Sequence, residues 1–564
     1  MHTHPVSLII NQYFIAMFKG HPKGLYVAFF ANMGERFGFY TMMAILVLFL
    51  QAKFNLTTEN AGYIYSGFYF SIYALALFGG FIADRSQNYK GTIMIGQVVM
   101  FFGYLLMAIP GMGLPFTLLG LFTIAFGNGL FKGNLQALVG QMYDNEKYGK
   151  LRDSAYSVFY MGINIGAFFA PSAARGVRSW WLHSHGFSYD PDLPALCHRM
   201  VDKTLADTGK LQELANKATI SGNPVTNLTS FSHDYIQVFS TGYNYAFGVA
   251  AIAMVLSLLI YLIFKSHLPD RKAMVKKDAS IIKMPWVEEK KRLIALGLVF
   301  IVVIFFWMSF HQNGLTLTLF ARDYTDKSVG PLTYIFFYLP AFLSLIAGIF
   351  GITMVVKKVT KPLNRAIGGG LLVAGGALLY YFYSTFTQTN TIEPEIFQQF
   401  NPIMIVFLTP VVVSLFGFLQ KRNMEPSTPR KIGIGMILAA VGFLLIMFTS
   451  FGLVSPAELH GDPAPDRVSP YWLISTYLVL TFAELFLSPM GLSFVSKVAP
   501  PRFQGLMQGG WLAATAVGNS LLFVGTIAYS RLELWQAWLI FVTCCLLAAG
   551  FIFSIMKRLE AATK

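Results

Sequence analysis

Five side chains of this 564-residue chain carry a charge, or can acquire one, inside runs otherwise fit for hydrocarbon: Glu35, Arg36, Lys132, His311 and Glu484. A charge at mid-bilayer costs at least about 2.5–3.5 kcal/mol on insertion scales, so the survivors usually face a bundle interior or a water-filled pathway. The set comprises two acids, two permanent bases and one imidazole that titrates near neutrality when unperturbed, and such a set can pair, unpair and carry a proton. His311 is the only one of ten histidines that falls in an apolar run. Static pairing between helices is the alternative, but buried pairs offer little net stability because desolvation offsets attraction. A substrate or ion pathway is the better reading. Asn164, Asn401, Tyr40, Tyr73, Tyr160 and Trp511 lie in similar runs, where polar groups need partners. Asparagine and tyrosine can hydrogen-bond amide or amine groups, and the aromatic rings add apolar walls.

Runs of about 20 apolar residues, enough to cross a bilayer core, must position these groups. Fourteen occur, near 25–51, 61–83, 91–110, 112–136, 155–173, 243–265, 293–320, 331–357, 366–386, 401–420, 431–453, 470–495, 505–528 and 534–556. With 55% hydrophobic and 12% charged residues, against about 25% charged in a soluble domain, the chain reads as an all-α polytopic membrane protein. Its net charge of +15 reflects topology rather than a nucleic-acid partner, because most of the 42 Lys and Arg fall in alternate loops. By the positive-inside rule both termini are cytoplasmic.

Several classes of chemistry find no support. Cys197, Cys544 and Cys545 make no disulfide framework, and His183 with His185 lack further metal ligands at suitable spacing. No phosphate loop is present, because neither G-N-G-L-F-K-G-N (127–134) nor G-I-N-I-G-A-F (162–168) has the required pattern. Those glycines suit close helix packing instead. No nucleophile, metal cluster or catalytic carboxylate pair suggests an enzyme. The 174–242 stretch reads as a partly helical exterior cap, with N-L-T at Asn227 a glycosylation acceptor only in a secretory eukaryotic setting.

The motifs then resemble a known family. G-H-P-K-G-L (20–25), N-M-G-E-R-F (32–37), G-G-F-I-A-D-R (79–85), F-G-N-G-L-F-K-G-N (126–134), F-Y-M-G-I-N-I-G-A-F (159–168) and A-E-L-F-L-S-P-M-G-L-S (483–493) are similar to those of the proton-coupled oligopeptide transporters of the major facilitator superfamily. The resemblance implies two six-helix bundles rocking about a central site to import di- and tripeptides with protons, without a cofactor. It implies a cytoplasmic segment 1–23, an N-terminal bundle 24–265, a linker 266–292, a C-terminal bundle 293–556 with an extra helix pair inserted at 331–386, and a tail 557–564. Arg36 and Lys132 match positives that face the peptide carboxylate, and Tyr40, Tyr73 and Tyr160 match pocket tyrosines. Asn164, Asn401 and Glu484 match groups that hold the peptide amino terminus, and Trp511 matches an aromatic wall. Glu35, His311 and Glu484 are the candidates for proton coupling, with Lys132 and Glu484 a closing pair.

Three departures concern coupling: Asn32 replaces the first acid of E-x-x-E-R, Met43 stands where an arginine is common, and His311 stands near a usual acid. Phe39 replaces a common tyrosine. A proton-independent transporter of modified peptides or another small anionic or zwitterionic solute therefore stays open, as does a non-transporting sensor. A bacterial inner membrane and a monomeric working unit complete the expectation.

Overall fold

The computed structural model describes residues 20–269, 284–356, 362–459 and 461–562. Most of the 1–23 segment, the centre of the 266–292 linker, the 357–361 connection and the last two residues lie outside the described residues. Among the described residues fourteen helical spans are long and apolar enough to cross a membrane, matching the fourteen runs, and the chain is an integral multi-pass membrane protein. Its helices are α1 (Lys23–Phe54), α2 (Thr58–Ser86), α3 (Tyr89–Ala108), α4 (Leu114–Gln141), α5 (Arg152–Ser184), α6 (Leu193–Val201), α7 (Gly209–Ala218), α8 (Leu228–Phe264) and α9 (Trp286–Phe310). They continue with α10 (Thr316–Asp323), α11 (Leu339–Val356), α12 (Pro362–Thr385), α13 (Phe400–Lys421), α14 (Thr428–Thr449), α15 (Pro470–Val498), α16 (Gln504–Ser520), α17 (Phe523–Arg531) and α18 (Leu534–Ser554).

Two groups of six spans form the body. In the first, α1 packs on α5 and α8 while α4 packs on α2 and α3; in the second, α14 packs on α15 and α18 while α9 packs on α16. Small residues permit these approaches, since lipid supplies no hydrophobic drive between helices and packing must. A Cβ on Gly127 would lie 2.6 Å from the Gly96 carbonyl, and one on Gly166 would lie 2.6 Å from the Met33 carbonyl. Gly127, Gly129, Gly162 and Gly166 of the two quoted segments therefore serve helix contact. The two groups meet where α2 lies against α16 and α17, and where α5 lies against α13.

The remaining pair, α11 and α12, packs chiefly on itself and leaves Leu363, Val373 and Tyr380 exposed on its outside. A short antiparallel ladder, β1 (Ser328–Val329) against β2 (Asn390–Thr391), ties its two ends together.

The cap is smaller than the sequence suggests. Residues 174–184 continue α5 and 228–242 begin α8, so the non-spanning segment is 185–227, containing α6 and α7. Arg175 and Arg178 make 174–184 look like exterior loop, but both side chains are ion-paired, so the helix can carry them onward. Asn227 caps α8, its side chain accepting from Ser230 N over 3.0 Å. His185 packs on the Trp181 ring at 3.9 Å. Cys197 is buried in α6, and burial pushes its thiol up to about 12.

Candidate functional site: a two-pole centre between the bundles

Two spans are interrupted next to one another. α9 ends at Phe310, a 3₁₀ turn covers His311–Gly314, and helix resumes at Thr316, while α16 and α17 are separated at Leu521 and Leu522. Irregular backbone at membrane depth is tolerated only where freed groups find partners within the protein. Gln312 supplies them, donating to the carbonyls of Met308 and Leu522 over 3.1 Å each and accepting from Thr316 over 2.9 Å. The Tyr477 hydroxyl donates to the Asn313 carbonyl over 2.6 Å. Broken helices facing one another near the midplane are where transporters build sites.

His311 begins the first interruption and is buried. Its Nδ1 lies 2.5 Å from Asn519 Oδ1, and its ring stacks on Trp307 at 4.7 Å and meets Tyr69 of α2 at 4.6 Å. Tyr69 stacks in turn on Tyr73 at 6.3 Å. The Lys132 ammonium rests 4.1 Å from the Tyr73 ring centre, a cation–π contact. A continuous aromatic file therefore leads from Lys132 in one bundle to His311 in the other.

Arg36 and Glu35 occupy a separate, deeper place. The Arg36 guanidinium donates to both Glu35 oxygens over 2.5 and 2.6 Å and lies 4.6 Å from the Phe39 ring. Asn128 donates to the same carboxylate over 2.6 Å. Asn128 and Lys132 are four residues apart, hence neighbours on one face of α4. Asn32, one turn from Arg36, is buried with its amide nitrogen unpartnered.

Glu484 lies in α15 of the second bundle. Glu484 accepts from the Tyr160 hydroxyl of α5 over 3.2 Å and from Asn401 Nδ2 of α13 over 3.0 Å, and Asn401 also donates to Thr481 over 3.1 Å. The Trp511 ring closes over Gly491, two turns along α15 from Glu484, where any Cβ would clash with it. Tyr40 packs edge-on to Phe39 at 5.2 Å.

The structure thus brings Tyr160, Asn401 and Glu484 together, and Lys132 with Tyr73. Asn164 instead turns its amide back to the Tyr160 carbonyl over 3.0 Å, and Arg36 is occupied by Glu35. Lys132 and Glu484 form no ion pair in this conformation. Asn128, Asn519 and Thr481 were not legible beforehand as site residues. Only Asn128 carried a signal, its spacing from Lys132.

A cavity of about 670 Å³ opens elsewhere, on the face that carries the cap, lined by Gln51, Asp192, Arg322, Asp323 and Tyr529 among others. Its charges are already paired: Arg322 bonds Asp323 and Gln51 over 2.6 Å each, and Asp192 bonds Lys327 over 2.6 Å. By contrast the Lys132 ammonium rests on an aromatic face, and the Glu484 carboxylate is held only by neutral donors.

Comparison with known proteins gives the family and the fold. A peptide transporter of Yersinia enterocolitica is 28% identical over 89% of this chain and 87% of its own length, and a dipeptide and tripeptide permease of Aliivibrio fischeri is 24% identical over 90% and 86%. The crystal structure of a peptide transporter in complex with alafosfalin superposes with a TM-score of 0.65 over 97% of both chains at 22% identity. That likeness gives the major facilitator type of fold. The model of the POT family matches residues 90–284 and 379–530, more than half of the sequence, and the chain belongs to the POT family.

Proposed function

We propose that this protein is a secondary active transporter that imports di- and tripeptides by alternating access, coupled to inward proton flow. Two contacts carry the reading: Lys132 of the first bundle keeps a free ammonium on the Tyr73 ring, and Glu484 of the second keeps a carboxylate held by neutral donors, one of them Tyr160 of the first bundle; we take the two as the poles of one central site. A zwitterionic peptide needs such a pair of poles. Lys132, with Tyr73 beneath it, takes the substrate carboxylate; Glu484, Asn401 and Tyr160 take its amino terminus. Trp511, Tyr40 and Asn164 complete the walls, and Arg36 sets the field through Glu35.

Protons travel through Glu484, Glu35 and His311, with no other cofactor. When the substrate leaves, Lys132 swings to Glu484 and closes the face opposite the cap. The bundles are 24–265 and 293–556 with the pair 331–386 inserted, a placement supported by the self-contained packing of α11 and α12. The protein works as a monomer in a bacterial inner membrane, both termini in the cytoplasm and the cap outside.

Uptake of labelled dipeptide into proteoliposomes, with and without an inward proton gradient, tests this. Accumulation driven by the gradient and abolished by Glu484→Gln is expected; absence of peptide flux overturns the substrate. A proton-independent carrier is the second reading, favoured by the amide at Asn32 and the thioether at Met43, and uptake that only equilibrates would establish it.

A further inference from the structure

Two arginines and two glutamates meet at the cap end of α5. Arg175 Nε donates to Glu393 over 2.8 Å and its Nη2 to the Tyr334 hydroxyl over 3.0 Å. Arg178 pairs with Glu393 and, over 2.5 Å, with Glu395; it also donates to the Tyr243 hydroxyl over 3.1 Å and lies 3.9 Å from the Tyr189 ring centre. Arg178 and Glu395 are both 0% exposed. The arginines belong to the first bundle, and the glutamates to the segment that leads into α13 of the second.

Charges this deeply buried are poor glue, because the loss of hydration offsets their attraction. Across an interface that parts, the same offset has a different consequence. Separation gives four charges back to water, so opening and closing are nearly balanced, whereas an apolar contact of equal size would favour closure alone. The cluster is also all-or-none, since removing one member leaves the rest buried and unpaired. Further pairs join the halves on this face: Asp192 with Lys327 and Arg467, Arg199 with Asp462, and Glu59 with Arg531. On the opposite face Arg152–Asp144, Arg292–Glu288, Arg430–Glu560 and Lys431–Glu425 each stay within one half.

We infer that Arg175, Arg178, Glu393 and Glu395 form the latch that holds the cap face shut, and that its rupture is the step that opens the substrate path on that face. The inference rests on the alternating-access reading but not on the identity of the solute.

Spin-label distances in the full chain in nanodiscs test it. The labels are Asn223→Cys with Asp466→Cys on the cap face and Glu146→Cys with Met424→Cys on the other, with Cys197, Cys544 and Cys545 replaced. The parent should give a short cap-face distance. Glu393→Gln with Glu395→Gln should add a population with a longer cap-face and shorter opposite-face distance, and Glu393→Gln alone a smaller shift in the same direction. An unchanged cap-face distribution in folded double variant overturns the latch. So does failure of both variants to yield monodisperse protein, which would make the cluster purely structural. Because no substrate is present, absent peptide flux leaves this result standing, and unchanged distances with normal uptake sink the latch alone.

Discussion

The Tyr160 hydroxyl of the first bundle donates to the Glu484 carboxylate of the second over 3.2 Å. This hydrogen bond spans the cleft between two bodies that must move, and Asn401 completes it from the same side as Glu484. Hydrogen bonds to a charged group are worth roughly 1.5–3 kcal/mol. Glu484→Gln should therefore lower kcat/KM for dipeptide uptake by about 10–100-fold, and Tyr160→Phe by less, because Asn401 remains. Equal losses would show that Glu484 acts through Tyr160 rather than on substrate.

Lys132 and Arg36 should separate in their effects. Arg36 is spent on Glu35, and removing one member of a buried pair typically costs 3–5 kcal/mol. Arg36→Met should thus reduce thermal stability and yield. Lys132→Ala should leave the melting temperature close to wild type while raising KM for dipeptides but not for their C-terminal amides. Thermal melts beside competition assays with both substrates read the difference.

His311→Gln preserves a donor for Asn519 and removes the ionisable ring. If that ring carries the proton, gradient-driven accumulation is lost while exchange of labelled against unlabelled peptide persists. Retained accumulation would assign coupling to the carboxylates.

Gly491 gives way to the Trp511 ring. Gly491→Ala should displace the indole, at the 1–3 kcal/mol typical of overpacking, and alter preference among dipeptide side chains more than it alters overall uptake. The paired change Gly491→Ala with Trp511→Phe should recover stability, measured by thermal unfolding in detergent.

Two neighbouring aspartates in the cap should respond to pH in opposite senses. Burial pushes Asp192 up, but Lys327 and Arg467 outweigh it and hold the carboxyl below the ordinary value; burial and then Asp192 push Asp190 above it. A depressed acid stabilises the fold above its unfolded value, near 3.9, and loses that contribution as the pH falls through the lower folded value. A raised acid does the reverse, destabilising at neutral pH and ceasing to do so once the pH is below about 3.9. At pH 7, Asp192→Asn should lower and Asp190→Asn raise the melting temperature. Melting curves from pH 3 to 7 should show the Asp190 effect vanishing first on acidification.

The sequence by itself determined the fourteen spans, because a bilayer demands about 20 apolar residues for each, and it exposed Glu35, Arg36, Lys132, His311 and Glu484 because charge in such runs is costly. It also determined the family, through motifs on α1, α4, α5 and α15. It did not show which charges pair. Glu35 and Arg36 are adjacent in the chain and were open to separate roles, yet the side chains fold back on each other and leave Lys132 as the free cation of the two. Arg175, Arg178, Glu393 and Glu395 read as loop charges, since a local apolar window cannot register a partner more than 200 residues away. Hydropathy is a property of neighbours in sequence, whereas the cost of a buried charge is set by neighbours in space. Only the tertiary structure decided where the two bundles touch, and with it which charges meet across their interface.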